Sequence, residues 1–207
     1  MATSHWTAPT AQTVTSRRRG AVLERAILDA ALEQLGTVGW NGLTMEGVAA
    51  AAQTGKAAVY RRWPSKEDLV ADALKAGLPR VEDVPDRGSV REDLLALCRQ
   101  MREAMYSRSG FAMLSVIHEC DAEIAQRLHS VIIEGVVQPG VKLIQAILQR
   151  GIERGEVWSG AVNAYVADVI PALMMYRSKV CGSEWSERDL EEMIDQVMVP
   201  LVCSDRD

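Results

Sequence analysis

The sequence predicts an all-α fold of about nine helices, with a compact unit of four helices at the N-terminal end ahead of a larger helical body. Three observations carry that prediction. Aromatic residues make up only 5% of the 207-residue chain while Leu, Ala, Val, Met and Glu are plentiful, a balance that suits helices better than sheets. Apolar residues recur at spacings of three and four along most of the chain. Residues 44–62 read as a short helix, a tight turn and a second short helix, the pattern of a helix-turn-helix.

Residues 1–16 are rich in Thr, Ala and Ser without apolar periodicity, which predicts a disordered tail. Arg17, Arg18 and Arg19 follow, fitting either a solvated helix start or an arm on nucleic-acid phosphates or in a minor groove. From about Arg18 to Gly36, Val22, Leu23, Ala26, Ile27, Ala30, Ala31 and Leu35 define one apolar face of a first helix. Gly36 and Gly39 end it, and Trp40 with Leu43 plug the space before the next. Thr44 is the expected N-cap of a second helix reaching Ala52, and a third runs from Lys56 to about Arg62 with Val59 as its core anchor. Pro64 closes that element. Ser65, with Asp68 three residues on, opens a fourth from Lys66 to Gly77 that buries Leu69, Val70, Ala73 and Leu74.

Leu78 to Gly88 holds two prolines and several acids and reads as a linker. Ser89 with Glu92 opens a helix that places Leu94, Leu95, Cys98, Met101 and Met105 on one side. A shorter helix covers Gly110 to Glu119. A long helical stretch then runs from Asp121 to about Arg154, with a kink or break expected at Pro139-Gly140. Two strongly apolar helices close the chain, Ala161 to Tyr176 and Ser186 to Val202, the latter behind a Ser186/Asp189 cap. Either they are core, or they form the self-complementary patch of a homodimer.

Charge is unevenly distributed. Residues 1–80 hold ten Lys/Arg against seven Asp/Glu, in a chain whose formal net charge is −5. The stretch from Gln53 to Lys66 holds Lys56, Arg61, Arg62 and Lys66 and no acid. A basic N-terminal part on an acidic body points to a local anionic partner. Alone, the four cations read as a solvated face. Interleaved with Ala57, Ala58 and Tyr60 on the second helix of a helix-turn-helix, they read as a DNA contact: small residues let the helix sit deep in a major groove while Lys, Arg and Tyr reach phosphates.

Other chemistry is weakly marked. His118, Glu119 and Cys120 are consecutive, so on a helix they diverge and do not share a metal. No nucleophile–base set or phosphate loop stands out, so no catalytic residue, metal or cofactor is predicted. The four cysteines form no CxxC pair and read as reduced thiols. There is no signal-peptide pattern, and no apolar stretch is read as approaching the roughly 20 residues needed to span a membrane. A cytoplasmic protein with no membrane partner is the expectation. Met101, Met105, Tyr106, Phe111, Met113, His118, Met174, Met175 and Tyr176 fall where a pocket between the middle helices would form, and methionine suits an adaptable apolar cavity. Methionine at helical spacing also suits plain core.

Residues 28–74 resemble the DNA-binding part of TetR-family transcriptional regulators. The resemblance rests on Ile27-Leu28-Asp-Ala-Ala, Gly39-Trp40, Leu43-Thr44-Met45, Val48-Ala49 and the run from Gly55 to Val70. It implies an all-α fold with an N-terminal three-helix helix-turn-helix DNA-binding domain (17–64), a linking helix (65–78) and a helical C-terminal domain (79–207) that binds a small effector and dimerises through its last two helices. It implies that Thr44 contacts a phosphate, that Gly55, Lys56, Ala57 and Ala58 form the base-facing start of the recognition helix, and that Tyr60, Arg61, Arg62 and Lys66 bind the DNA backbone. Two departures stand out: Gln53 where many members have Gly, and Gly55 where a Ser often caps the recognition helix. The function implied is a homodimeric repressor released from a pseudo-palindromic operator by a small molecule. The alternatives are a small helical enzyme that retains a helix-turn-helix, or a DNA-binding protein blind to small ligands.

Overall fold

The computed structural model of the chain describes residues 19–203 except 79, 81, 120 and 121; the expected tail, Arg17, Arg18 and Cys120 lie outside them. Those residues fold entirely into helices and connections. The order is α1 (Gly20–Gly42), α2 (Met45–Ala51), α3 (Lys56–Tyr60), α4 (Lys66–Gly77), α5 (Val90–Met105) and α6 (Arg108–Glu119). After these come α7 (Ala122–Ile132), α8 (Gln138–Glu153), α9 (Ala164–Lys179), α10 (Glu187–Met193) and α11 (Val199–Val202). Wider π turns, Ile133–Val137 and Ile194–Met198, make α7 continuous with α8 and α10 continuous with α11. Counting each joined pair once leaves nine helices among the described residues.

Caps set most of the boundaries. Ser65, Ser89, Asn163 and Ser186 each accept an amide hydrogen bond from three residues on, satisfying an N–H that the helix leaves free. At Ser186 the box is complete, because Asp189 answers the Ser186 amide. Gly39, at φ 73°, marks a kink where α1 resumes for one more turn, so the helix outruns the expected stop at Gly36. Glu119 accepts the Asn41 amide at 3.1 Å and ties the end of α6 to that kink. Trp40 and Leu43 are buried as expected, whereas Val22 is 65% exposed; it lies about 100° round the helix from the buried Leu23.

The two π turns share a cause. Each ends two residues before a proline, Pro139 and Pro200. Proline has no amide hydrogen and its ring crowds the carbonyl four residues back. The bonding register lengthens to five residues just ahead of it: the Gln138 amide bonds the Ile133 carbonyl, and the Val199 amide bonds that of Ile194. The break expected at Pro139-Gly140 is therefore a widened turn in a continuous rod. That rod, Leu128–Glu153, has 26 residues and a mean hydropathy of 1.5 in its most apolar stretch. This corrects the expectation that no apolar stretch approaches membrane-spanning length. Within the protein, the same rod buries Leu128, Ile132, Ile144, Ile147 and Leu148.

Two apolar cores organise the chain. The first joins α1–α4 to Ala112, Met113, Val116, Leu128 and Ile132 of α6 and α7, and α1 packs more extensively on α6 than on any other helix. The second holds α5, α8, α9 and the C-terminal rod, with Val84 of the connection pinned into it. Trp158 closes that end: its backbone amide donates to the Val202 carbonyl and its indole N–H to that of Leu201, both at 3.1 Å. Burial pushes the Cys98 thiol up to about 12, which makes it a packing residue and not a reactive thiolate.

Candidate functional site

The helix-turn-helix is built by local chemistry. Thr44, in extended backbone, accepts the Gly47 amide through its hydroxyl at 3.0 Å and starts α2. The chain turns at Gln53, whose φ of 55° is the one left-handed non-glycine value among the described residues; that geometry costs a non-glycine about 1 kcal/mol. Gly55 precedes α3 with no side-chain cap. Trp63, 5% exposed, donates its indole N–H to Asp72 at 3.0 Å and fastens the end of α3 to α4.

α3 turns Ala58 and Val59 into the core and leaves Lys56, Ala57, Tyr60 and Arg61 exposed. Ala58 thus departs from the expectation that it faces a groove, because it lies beside Val59 on the inner side of the helix. Arg62 is half-buried and donates to the Ala58 carbonyl at 2.9 Å, so its guanidinium folds back along α3. Lys66 also departs from expectation. Its ammonium donates to the Trp40 carbonyl at 2.9 Å and lies 4.2 Å from the centre of the Trp40 ring. A cation held this way has one of its donors committed to the domain.

Sequence reasoning missed one member of this face. Glu46, on the first turn of α2, pairs with Lys56 Nζ at 3.2 Å and accepts from the Tyr60 hydroxyl at 3.4 Å. Its own backbone amide, followed by Lys56, holds its carboxyl below the usual carboxylate range. Glu46 is the only acid between Thr44 and Lys66, which was the available signal. A carboxylate there orients Lys56 and Tyr60 yet opposes an incoming phosphate. Glu46→Gln is expected to tighten DNA binding about threefold to tenfold and to steepen its salt dependence, since it frees one cation per subunit; unchanged affinity and slope in a salt titration would refute this.

The second feature is a cleft of about 710 Å³, counting its open mouth. α5 contributes Met101, Ala104 and Met105, and α6 contributes Met113 and Leu114. The π turn and the start of α8 supply Val136, Val137, Gly140 and Val141, and α9 supplies Pro171, Met174 and Met175. Five residues expected at a pocket are therefore on its wall: Met101, Met105, Met113, Met174 and Met175. Three are not. Tyr106 is turned towards the second core, where its oxygen accepts the Trp185 amide at 2.9 Å. Phe111 is 48% exposed beside it, and Tyr176 is 55% exposed on the outside of α9. The His118 side chain lies outside the described residues. Val136 and Val137 were missed because the π turn rotates the helical face away from the simple period; Pro171 lies on α9, away from that turn.

The two halves of the chain are each matched by a family model. Residues 27–73 match the bacterial regulatory proteins of the tetR family, and residues 84–197 match the tetracyclin repressor-like C-terminal domain. The chain is 33% identical over 181 residues to an uncharacterized HTH-type transcriptional regulator of Mycobacterium tuberculosis, covering 86% of each. It is 28% identical to the DNA-binding transcriptional repressor TetR of Mycobacteroides abscessus, covering 89% of this chain and 96% of that one. The fold is shared with MexZ, a key repressor in antibiotic resistance in Pseudomonas aeruginosa, at a TM-score of 0.64, 20% identity and coverage of 89% and 96%. It is also shared with the flavonoid-responsive regulator FrrA, at a TM-score of 0.63, 22% identity and coverage of 89% and 98%. With a helix-turn-helix presenting Lys56, Tyr60 and Arg61 at one end and matches spanning both halves, the chain belongs to the TetR family and is a DNA-binding transcriptional regulator.

Proposed function

We propose that the protein is a homodimeric repressor that holds a pseudo-palindromic operator and leaves it when a small molecule fills the cleft. The observation that carries the dimer is an uncovered stripe on α9. Tyr165, Ala172 and Tyr176 lie on one side of that helix, with Tyr165 87% and Tyr176 55% exposed, and Val169 between them is partly buried against the second core. Val180 beyond it is 70% exposed, and Val197 of the C-terminal rod is 39% exposed. A row of large apolar side chains at the surface is a site for another chain. A second copy related by a two-fold axis covers both rows at once.

On this reading residues 17–64 read DNA, 65–78 link, and 79–207 bind effector and dimerise. Thr44, Gly55, Lys56, Ala57, Tyr60 and Arg61 form the contact surface, with Arg62 adding charge behind it. A dimer sets two recognition helices about one helical turn of DNA apart. An effector acts by binding the two spacings unequally. A relative named as a DNA-binding repressor, a fold neighbour named as flavonoid-responsive and another bound to stearoyl-CoA support the repressor and effector parts. The enzyme alternative finds no acid or base among the described residues that line the cleft, and a ligand-blind protein would have no need of such a cleft.

Sedimentation velocity tests the assembly. The wild type is expected to run at twice the 22.7 kDa chain mass. Tyr165→Glu/Tyr176→Glu is expected to run as a folded monomer that has lost specific DNA binding although its helix-turn-helix is untouched. A double variant that remains dimeric would rule out this face.

A further inference from the structure

The cleft and the path from it to α3 have a chemistry of their own. Among the described residues that line it, every side chain is apolar or absent; none carries a charge, a hydroxyl or an amide. An ammonium or carboxylate entering it would shed water and meet no partner. Five of the lining residues are methionines, which mould to shape without reading a polar pattern.

One wall is the π turn Ile133–Val137, and it has two sides. Val136 and Val137 face the cleft. Gly135, between them and α7, is the seat of Leu78: a Cβ at Gly135 would stand 2.6 Å from Leu78 Cδ1. Leu78 is the residue that ends α4, and α4 begins shortly after the recognition helix α3. The five-residue register ahead of Pro139 makes this turn the irregular point of the rod, and a π turn is where a helix bends more readily than along its regular stretches.

We infer that the cleft takes an uncharged molecule, apolar over most of its surface, and that the π turn reports its presence to α4 through the Gly135–Leu78 contact. This rests on the effector-released regulator proposed above. Ligand that presses on Val136 and Val137 shifts the turn, the turn shifts the seat of Leu78, and α4 carries the shift to α3.

A matched pair of probes tests the chemistry in the full-length dimer: N-phenyl-1-naphthylamine, which is neutral, and 1-anilinonaphthalene-8-sulfonate, the same ring system with a fixed negative charge. Fluorescence titration is expected to show the neutral probe binding at least about tenfold more tightly. Ala104→Trp, which fills the cleft, is expected to abolish that binding and leave DNA binding intact. Equal or tighter binding of the sulfonate, or unchanged binding by Ala104→Trp, overturns the ligand class.

The route is tested on a selected operator duplex. In the wild type the neutral probe is expected to weaken operator binding at least about tenfold. Leu78→Ala is expected to bind both probe and operator yet lose that coupling, to less than about twofold. Gly135→Ala is expected to weaken the operator complex without any probe, and Leu78→Ala/Gly135→Ala to restore it. Coupling that survives Leu78→Ala overturns the route, as does a bound neutral probe that leaves the wild-type operator complex unchanged. Absence of any selected operator would instead fail the regulator reading, and the probe titrations would still decide the chemistry of the cleft.

Discussion

Tyr60→Ala/Arg61→Ala is expected to weaken operator binding about a hundredfold or more while leaving the melting temperature close to that of the wild type. Both side chains are exposed on α3, Tyr60 at 44%, so removing them opens no cavity. A dimer loses four contacts, and each backbone contact to DNA contributes on the order of 1 kcal/mol. If two to four cations per subunit meet phosphates, log affinity against log salt has a slope of about −4 to −7 for the wild-type dimer. The variant is expected to be shallower by about two, one Arg61 per subunit. A variant with the same affinity and slope would mean that DNA approaches elsewhere. Lys66→Ala makes an instructive contrast. Its ammonium serves Trp40, so its main expected effect is on the packing of α4 against the kink of α1.

Asp93→Ala is expected to cost about 3 kcal/mol or more, the range for a buried charge partner removed from a network, which lowers the melting temperature of a chain this size by about 6–12 °C. Asp93 is the one fully buried acid among the described residues, at 0% exposure. One oxygen accepts the Arg87 amide at 2.8 Å, and the other lies 3.4 Å from both Arg150 and Arg154. Arg154 also reaches Asp86 and Glu156, and Arg150 donates to the Val84 carbonyl at 3.0 Å. The network fastens the connection after α4 to the end of α8. Removing Asp93 takes the shared carboxylate from two partly buried arginines. The Arg91–Asp195 pair is shorter, at 2.6 Å, but its side chains are 38% and 46% exposed. Solvent screens it, and Arg91→Ala is expected to cost no more than about 1 kcal/mol. Thermal denaturation of the two variants side by side checks the order, and equal losses would contradict it.

Much of this molecule was legible from local signals. Thr44, Ser65, Ser89 and Ser186 cap helices where the sequence put them, because a cap needs only a short polar side chain and three more residues. Gln53 takes the strained turn that its position demanded. Met101, Met105, Met113, Met174 and Met175, which the order of the middle helices puts where a pocket would form, line the cleft. What the period did not carry was non-local. It gave no sign that α6 and α7 complete the core of the N-terminal helices, since both sides of that contact look like ordinary apolar faces. Pro139 announced an interruption but not its form: a widened turn keeps the rod continuous and rotates Val136 and Val137 onto the cleft wall. Residue type and the resemblance both point Ala58 and Lys66 outward. The structure spends one on the core and the other on Trp40.

Sequence-specific binding by a dimer is the central property of this regulator, and selection of bound duplexes from a random pool measures it directly. The wild type is expected to enrich a pseudo-palindrome whose half-sites lie about one helical turn apart, and Tyr60→Ala/Arg61→Ala is expected to enrich nothing. A folded wild-type dimer that enriches no sequence at low salt would contradict sequence-specific binding.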